Sequence, residues 1–315
     1  MNAAQWQALL DDFCLGLAPS HSPRTLASYR QDGRALIAIL TTTDPAPAPA
    51  ELDLMRCRAL LAQLAEQGLG AVSIARHLSC FRQWFDELMH KQLCTANPWR
   101  QVRAPKREKR LPNALSPDET QRLLDHRPAT PRVSHLRDQA MFELLYSSGL
   151  RVSECVGINL KDLDVQNHEV RVLGKGNKER IVPLGAQAIA ALEGWIVQRR
   201  VIALGLSAIL AEQLQQADAP VFISQRGQRL SARALQTLLA ARGRDSGMLS
   251  AVHPHRLRHA FASHVLQSSR DLRAVQEMLG HADIKSTQVY THLDFQHLAR
   301  VYDAAHPRSK LEKAL

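Results

Sequence analysis

The sequence predicts a mainly α-helical chain with a small β insertion: a four-helix N-terminal domain, a basic linker, and an α+β C-terminal domain. Three observations carry this. Apolar residues recur at helical spacing through most of the chain. One stretch, EVRVLGKGNKERIVPL (169–184), alternates apolar and polar residues on both sides of a Gly-Lys-Gly-Asn turn, the pattern of a hairpin with a lysine at its tip. Between the helix-rich parts lies RQVRAPKREKR (100–110), with six basic residues and one acidic. At 315 residues the chain is comfortable for two domains, and 45% hydrophobic residues can fill a core in each.

The elements follow in order. Trp6, Leu9, Leu10, Phe13 and Leu17 keep the spacing of a first helix. Ser22-Pro23 reads as an N-cap followed by proline at the first helical position, opening a helix through about Leu40. TTTDPAPAPA (41–50) breaks it. A third helix spans about 52–67, and a fourth runs from near Ser73 to about Met89, with Leu78, Phe81, Trp84, Phe85 and Leu88 inward. Asn97-Pro98 closes this domain, assigned to residues 1–99, and 100–113 is the linker. Domain 114–315 opens on Ser116-Pro117-Asp118-Glu119, a cap with first-turn proline and acidic residues. After the hairpin, helices are expected at about 185–204, 231–244, 254–267 and 271–279. A last helix, about 294–305, puts Phe295, Leu298, Val301, Tyr302 and Ala305 on one apolar stripe. That stripe suits either its own domain or a neighbouring protomer.

Composition narrows the partner. The net charge is +10 and the pI about 9.7, a balance that favours a polyanion. Residues 1–99 are nearly neutral, so the excess sits in the linker and the C-terminal part, as expected if those grip phosphates. Aromatics are only 5%, which argues against a single-strand surface built on base stacking. Cys14, Cys57, Cys80, Cys94 and Cys155 show neither zinc-site nor disulfide spacing and read as small core residues of a reducing compartment. No signal peptide and no apolar run of about 18 residues is visible. The expected setting is the cytoplasm, with no membrane contact.

The chemistry lies in an ordered set: Arg151 in GLRVSE, Lys175 in GKGNKER, His255 and Arg258 in HPHRLRHAF, and His281 and Tyr290 in LGHADIKSTQVYTH. Cleaving a phosphodiester requires that growing charge on two non-bridging oxygens be stabilised, that a nucleophile lose a proton, and that a leaving alkoxide gain one. Many nucleases use carboxylates holding Mg²⁺ for this, and no comparable acidic cluster accompanies these motifs. Arginine can serve instead, because its planar fork donates bidentately to phosphate and stays charged. Arg151 and Arg258 are the candidate clamp. His255, three residues before Arg258 and so on one helix face with it, is the candidate proton acceptor. His281, after a helix-ending glycine, can donate to the phosphate. Lys175 is either a solubilising turn residue or the general acid for the leaving 5′ oxygen. Tyr290 is the candidate nucleophile, whereas Tyr29, Tyr146 and Tyr302 lie in apolar helical patterns and read as core. Glu154, three after Arg151, is placed to orient it. His259, four after His255, raises a zinc reading that Arg256 and Arg258 oppose electrostatically, so His259 is expected to pack structurally.

Taken together, these motifs resemble the signature of the tyrosine recombinase family: Arg, Lys, His-x-x-Arg, His and Tyr, with all six positions filled. THLDFQHLARVYDAAHPR (291–308) is similar to the C-terminus of the bacterial Xer branch. The resemblance implies a DNA strand transferase in which Tyr290 attacks the scissile phosphate, giving a 3′-phosphotyrosine and a free 5′-hydroxyl. Strands then exchange through a Holliday junction. The phosphotyrosine preserves the bond energy, so no ATP is needed, and no P-loop is found. No metal or other cofactor is expected. The implied role is chromosome dimer resolution on duplex DNA at a dif-type site, in a heterotetramer with a XerD-like recombinase and under an FtsK-like translocase. The alternatives are a phage or integron integrase with the same chemistry and, in a different class, a DNA-binding protein without catalysis.

Overall fold

The computed structural model describes residues 1–105, 114–128, 130, 132–174, 178–280 and 292–309, with side chains of the last helix from His297 onward. The chain divides into two compact units, Met1–Arg110 and Leu111–Leu315.

The first unit is built on four helices: α1 (Ala3–Leu17), α2 (Pro23–Leu40), α3 (Leu54–Glu66) and α4 (Ala71–His90). Their starts are set locally. Ser22 accepts from the Thr25 N–H with Pro23 at the first position, and Asp53 accepts from the Arg56 N–H. α4 begins two residues before Ser73, because Gly70 stands at its N-cap and offers no side chain to mark the start. Buried aromatics fill the centre. Trp6 meets Trp84 edge-on at 5.6 Å, and Phe81 lies 4.9 Å from Trp99. Trp99 belongs to a single 3₁₀ turn, Pro98–Gln101, and is fully buried together with Val102. Arg82 holds the same segment by donating to the carbonyls of Trp99 and Val102. Residues 100–102, placed by sequence at the start of the linker, are therefore part of the first unit's body.

The second unit opens on α5 (Pro117–Asp125), where Ser116 and Glu119 form a reciprocal capping box. α6 (Val133–Ser147) is buried on nearly every side from Arg137 on and serves as the hub. Short α7 (Val152–Gly157) leads to an antiparallel sheet of β1 (Leu163–Asp164), β2 (Glu169–Leu173) and β3 (Glu179–Pro183), in that order. Val170 pairs with Val182 and Leu173 with Glu179. Then come α8 (Ala186–Leu204), α9 (Ala208–Gln215), α10 (Ala232–Asp245), α11 (Pro254–Ser269), α12 (Leu272–Leu279) and α13 (His292–Ala305). α8 packs along α6, and α11 lies between α6 and α13.

On α13, Leu298, Tyr302 and Ala305 are buried in the second unit's own core. The hydroxyls of Tyr302 and Ser147 are 2.6 Å apart. Beyond the helix, Arg308 donates to both oxygens of Glu143 and to Asp125. In this structure the stripe's packing surface is thus the chain's own unit. The Phe295 side chain lies outside the described residues. All five cysteines are free and buried. Among the described residues no helix is long and apolar enough to cross a membrane.

Replacing Trp99 by Ala removes a fully buried indole from the first unit, and we expect a loss of about 3–5 kcal/mol in chemical denaturation. A loss under about 1 kcal/mol would show that Trp99 does not anchor the segment after Pro98.

Candidate active site

The site grows from the turn between α6 and α7. Gly149 has φ +57°, and a β-carbon there would fall 2.4 Å from the Phe261 ring, so both conformation and space call for glycine. Arg151 follows, immediately before α7. Glu154, third in that helix, accepts from the Arg151 backbone N–H through Oε2 (2.8 Å) and from its guanidinium through Oε1 (2.7 Å). The orienting role expected of Glu154 is present, because one carboxylate caps the helix and holds the arginine head.

Arg258 comes from α11, which Pro254 opens at its first turn. It is nearly buried and donates to the carbonyls of Gly149 and Leu279, both at 2.7 Å. Its guanidinium is 4.0 Å from Glu154 Oε2. Burial, and then the neighbouring Arg151 charge, push its pKa down to about 10, which leaves it cationic near neutrality. Burial alone would raise the Glu154 pKa, but hydrogen bonds and charge from Arg180, then bonds from Arg151, bring it to about 2. The two arginines named from sequence therefore converge on one buried carboxylate. Arg151 keeps more than a third of its side chain exposed.

His255 lies one turn before Arg258 on α11 and is exposed. Partial burial lowers its pKa, and the neighbouring His259, His253 and Arg258 lower it further. An imidazole lowered in this way beside Arg258 can accept a proton. His259, expected to pack structurally, is on the surface. It too is exposed, and its Nε2 lies 3.2 Å from that of His255. Residues four apart share a helix face, and here that face is the solvent side of α11. Among the described residues no group of three or more His, Cys, Asp or Glu is placed to hold a metal ion.

Lys175, His281 and Tyr290 lie outside the described residues. Their flanks are described. Gly174 donates to the Lys178 carbonyl at 2.7 Å, closing the β2–β3 connection. Gly280, φ +65°, ends α12 in the left-handed conformation that favours glycine. The other tyrosines sort by burial. Tyr146 and Tyr302 are fully buried, and burial raises both phenols well above their usual range, which disfavours the phenolate a nucleophile needs. Tyr29 is half-buried against the first unit's core.

One residue escaped the sequence reading. Arg180 on β3 is buried and donates to both oxygens of Glu154. The available signal was its place in the hairpin alternation. It shares a strand face with Val182, so the pattern itself puts a cation inside.

This architecture and cluster define a class. Residues 113–297 match the phage integrase family, and residues 10–92 match the phage integrase N-terminal SAM-like domain. The chain belongs to the phage integrase family, the tyrosine recombinases. Within it the similarity is to the XerC type. The chain is 46% identical to tyrosine recombinase XerC of Actinobacillus pleuropneumoniae serotype 7 (strain AP76), over 93% of this chain and 90% of that one. It is also 46% identical to tyrosine recombinase XerC of Pseudomonas syringae pv. syringae (strain B728a), over 96% of each. The fold matches the XerH site-specific recombinase bound to palindromic difH substrate, with TM-score 0.70, 20% identity, and 94% and 84% of the two chains covered. It also matches a lambda integrase dimer bound to a COC′ core site, with TM-score 0.67, 20% identity, and 92% and 100% covered.

Two outcomes follow from the site. Tyr302→Phe should cost about 1 kcal/mol through the lost bond to Ser147 while leaving covalent attachment to DNA intact. Loss of attachment would make Tyr302 the nucleophile. Glu154 has a folded pKa depressed from 4.5 to about 2, so its stabilisation is present above pH 4.5 and fades as pH falls toward 2. Glu154→Gln should therefore lower thermal stability at neutral pH, with the gap to wild type narrowing across that window. A gap independent of pH would exclude a charge role for Glu154.

Proposed function

We propose that this chain cuts and rejoins duplex DNA at a dif-like site through Tyr290, as one member of a recombinase heterotetramer. The observation that carries this is the convergence of Arg151 and Arg258 on one buried carboxylate, with the exposed His255 one helical turn away. The similarity to XerC recombinases over nearly the whole chain supports it.

The proposed step is a displacement at phosphorus. The Tyr290 oxygen forms a bond to the scissile phosphorus, and the bond to the 5′ oxygen breaks. His255 takes the phenol proton, and Lys175 supplies one to the leaving oxygen. Arg151 and Arg258 hold the non-bridging oxygens, with His281 as a further donor. The 5′-hydroxyl of a partner duplex then loses its proton and attacks the same phosphorus, the bond to the Tyr290 oxygen breaks and the phenol regains a proton, exchanging strands through a Holliday junction. One phosphodiester is conserved at every stage, so the step needs no ATP.

The wider assignment belongs to the same proposal. The partner is a XerD-like recombinase, the regulator an FtsK-like translocase, the setting the cytoplasm, and the outcome chromosome dimer resolution. The first unit and the basic stretch 100–113 serve as the other half of a clamp on the duplex, with 114–315 as the catalytic domain. If α13 docks on a neighbouring protomer in that assembly, Leu298 and Tyr302 must first leave their own core.

A nicked suicide duplex tests the reading. Wild type should form a covalent adduct, and Tyr290→Phe none. No adduct with wild type, alongside specific binding, would leave a DNA-binding protein without catalysis. Affinity should also fall steeply with salt, the logarithmic slope being near −0.9 per neutralised phosphate. A flat dependence would contradict phosphate contacts as its source.

A further inference from the structure

Among the described residues three guanidiniums surround the Glu154 carboxylate, and the three are not equivalent. Arg151 is exposed enough to meet a ligand, and Arg258 is held by two carbonyls with its Nη1 4.0 Å from Glu154. Arg180 is different. Its side chain is 5% exposed, and each of its three nitrogens donates to a protein oxygen. Nη1 donates to Glu154 Oε1 (3.0 Å), Nη2 to Oε2 (2.9 Å), and Nε to the Met278 carbonyl (3.0 Å). It is wedged between two glycines. A β-carbon on Gly174 would lie 3.5 Å from Nη1, and one on Gly280 would lie 3.1 Å from the same atom. At 5% exposure, with its fork turned onto Glu154, such a cation is not presented to a phosphate.

Its effect must therefore pass through Glu154. A bidentate arginine–carboxylate pair is close to neutral as a unit. With Arg180 in place, the charges of Arg151 and Arg258 remain uncompensated. Without it, the carboxylate keeps its bonds to Arg151 and sits near Arg258, so its negative charge falls on the two groups that face the scissile phosphate. In a partly desolvated site that difference is large. We propose that Arg180 is a positioning residue of the cleavage reaction: it neutralises Glu154, so that Arg151 and Arg258 present two full positive charges to the phosphate. This rests on the strand-transfer reading above, and the test separates the two.

The test is a double-mutant cycle in the full-length chain, using a nicked half-site duplex and reading half-site affinity and the rate of covalent adduct formation separately. Wild type and Tyr290→Phe come first, because failure there refutes the strand-transfer reading and not the role of Arg180. Arg180→Gln should slow adduct formation about 100-fold, within the range for losing one charge-stabilising group. Half-site affinity should stay within about threefold. In the Glu154→Gln background there is no charge to neutralise, so adding Arg180→Gln should cost less than about threefold. The double variant should then cleave at least tenfold faster than Arg180→Gln alone. Equal losses in both backgrounds, or adduct rate and affinity falling in parallel, would overturn the proposal in favour of a structural role. If Arg180→Gln alone does not fold, the comparison of Glu154→Gln with the double variant still decides. A loss above tenfold there is fatal to the idea.

Discussion

A single buried carboxylate organises the second unit. Placing Glu154 away from water costs several kcal/mol unless opposite charge and hydrogen bonds surround it. The fold supplies both from separate parts of the chain: the Arg151 backbone and side chain at the start of α7, Arg180 from β3, and Arg258 close by from α11. The consequences run outward. Arg258 and Arg180 also hold the successive carbonyls of Leu279 and Met278, so the end of α12 is fastened to the same cluster. α7, the hairpin, α11 and α12 meet where they do because their ions must. The sign of the cluster matters as much as its strength. Among the described residues, three cations against one anion leave a positive surplus beside Arg151, the most exposed of them. An arrangement serving stability alone would balance its charges.

The rest of the unit is a frame that keeps the cluster in register. α6 supplies the buried floor, and Gly149 allows the chain to turn tightly against Phe261 just before Arg151. The frame also sorts reactive side chains. Tyr146 and Tyr302 are sealed in the core beside His264, His306 and Ser147, where an ionised phenol would be costly. The first unit uses different physics. Its stability comes from stacked and edge-on aromatics, and its connection to the basic stretch is anchored by Trp99 and Arg82.

Much of this was legible from sequence because it is local. Ser22-Pro23 and Ser116-Pro117 announce helix starts through bonds spanning three residues, and the hairpin alternation states which face turns inward. What escaped has physical reasons. α6 is buried all round, so it carries no apolar stripe to detect. α7 and α9 are too short for a period, and β1 is two residues long. For His259 the neighbouring arginines speak against zinc and leave a structural role, but spacing does not reveal which helix face meets solvent.

The residue types and their order were determined by the sequence alone: a pair of arginines, a histidine three before the second, a hairpin lysine, and a tyrosine outside the apolar stripes. From these came the reaction class, because the chemical needs of a phosphodiester restrict which groups can serve. Only the tertiary structure decided how the charges are shared. That the guanidinium of Arg180 takes both oxygens of Glu154, and that of Arg151 only one, depends on residues 26 apart meeting in a dry interior. The strength and direction of an ion pair follow from distance and burial, and neither is written in the spacing of residues along the chain.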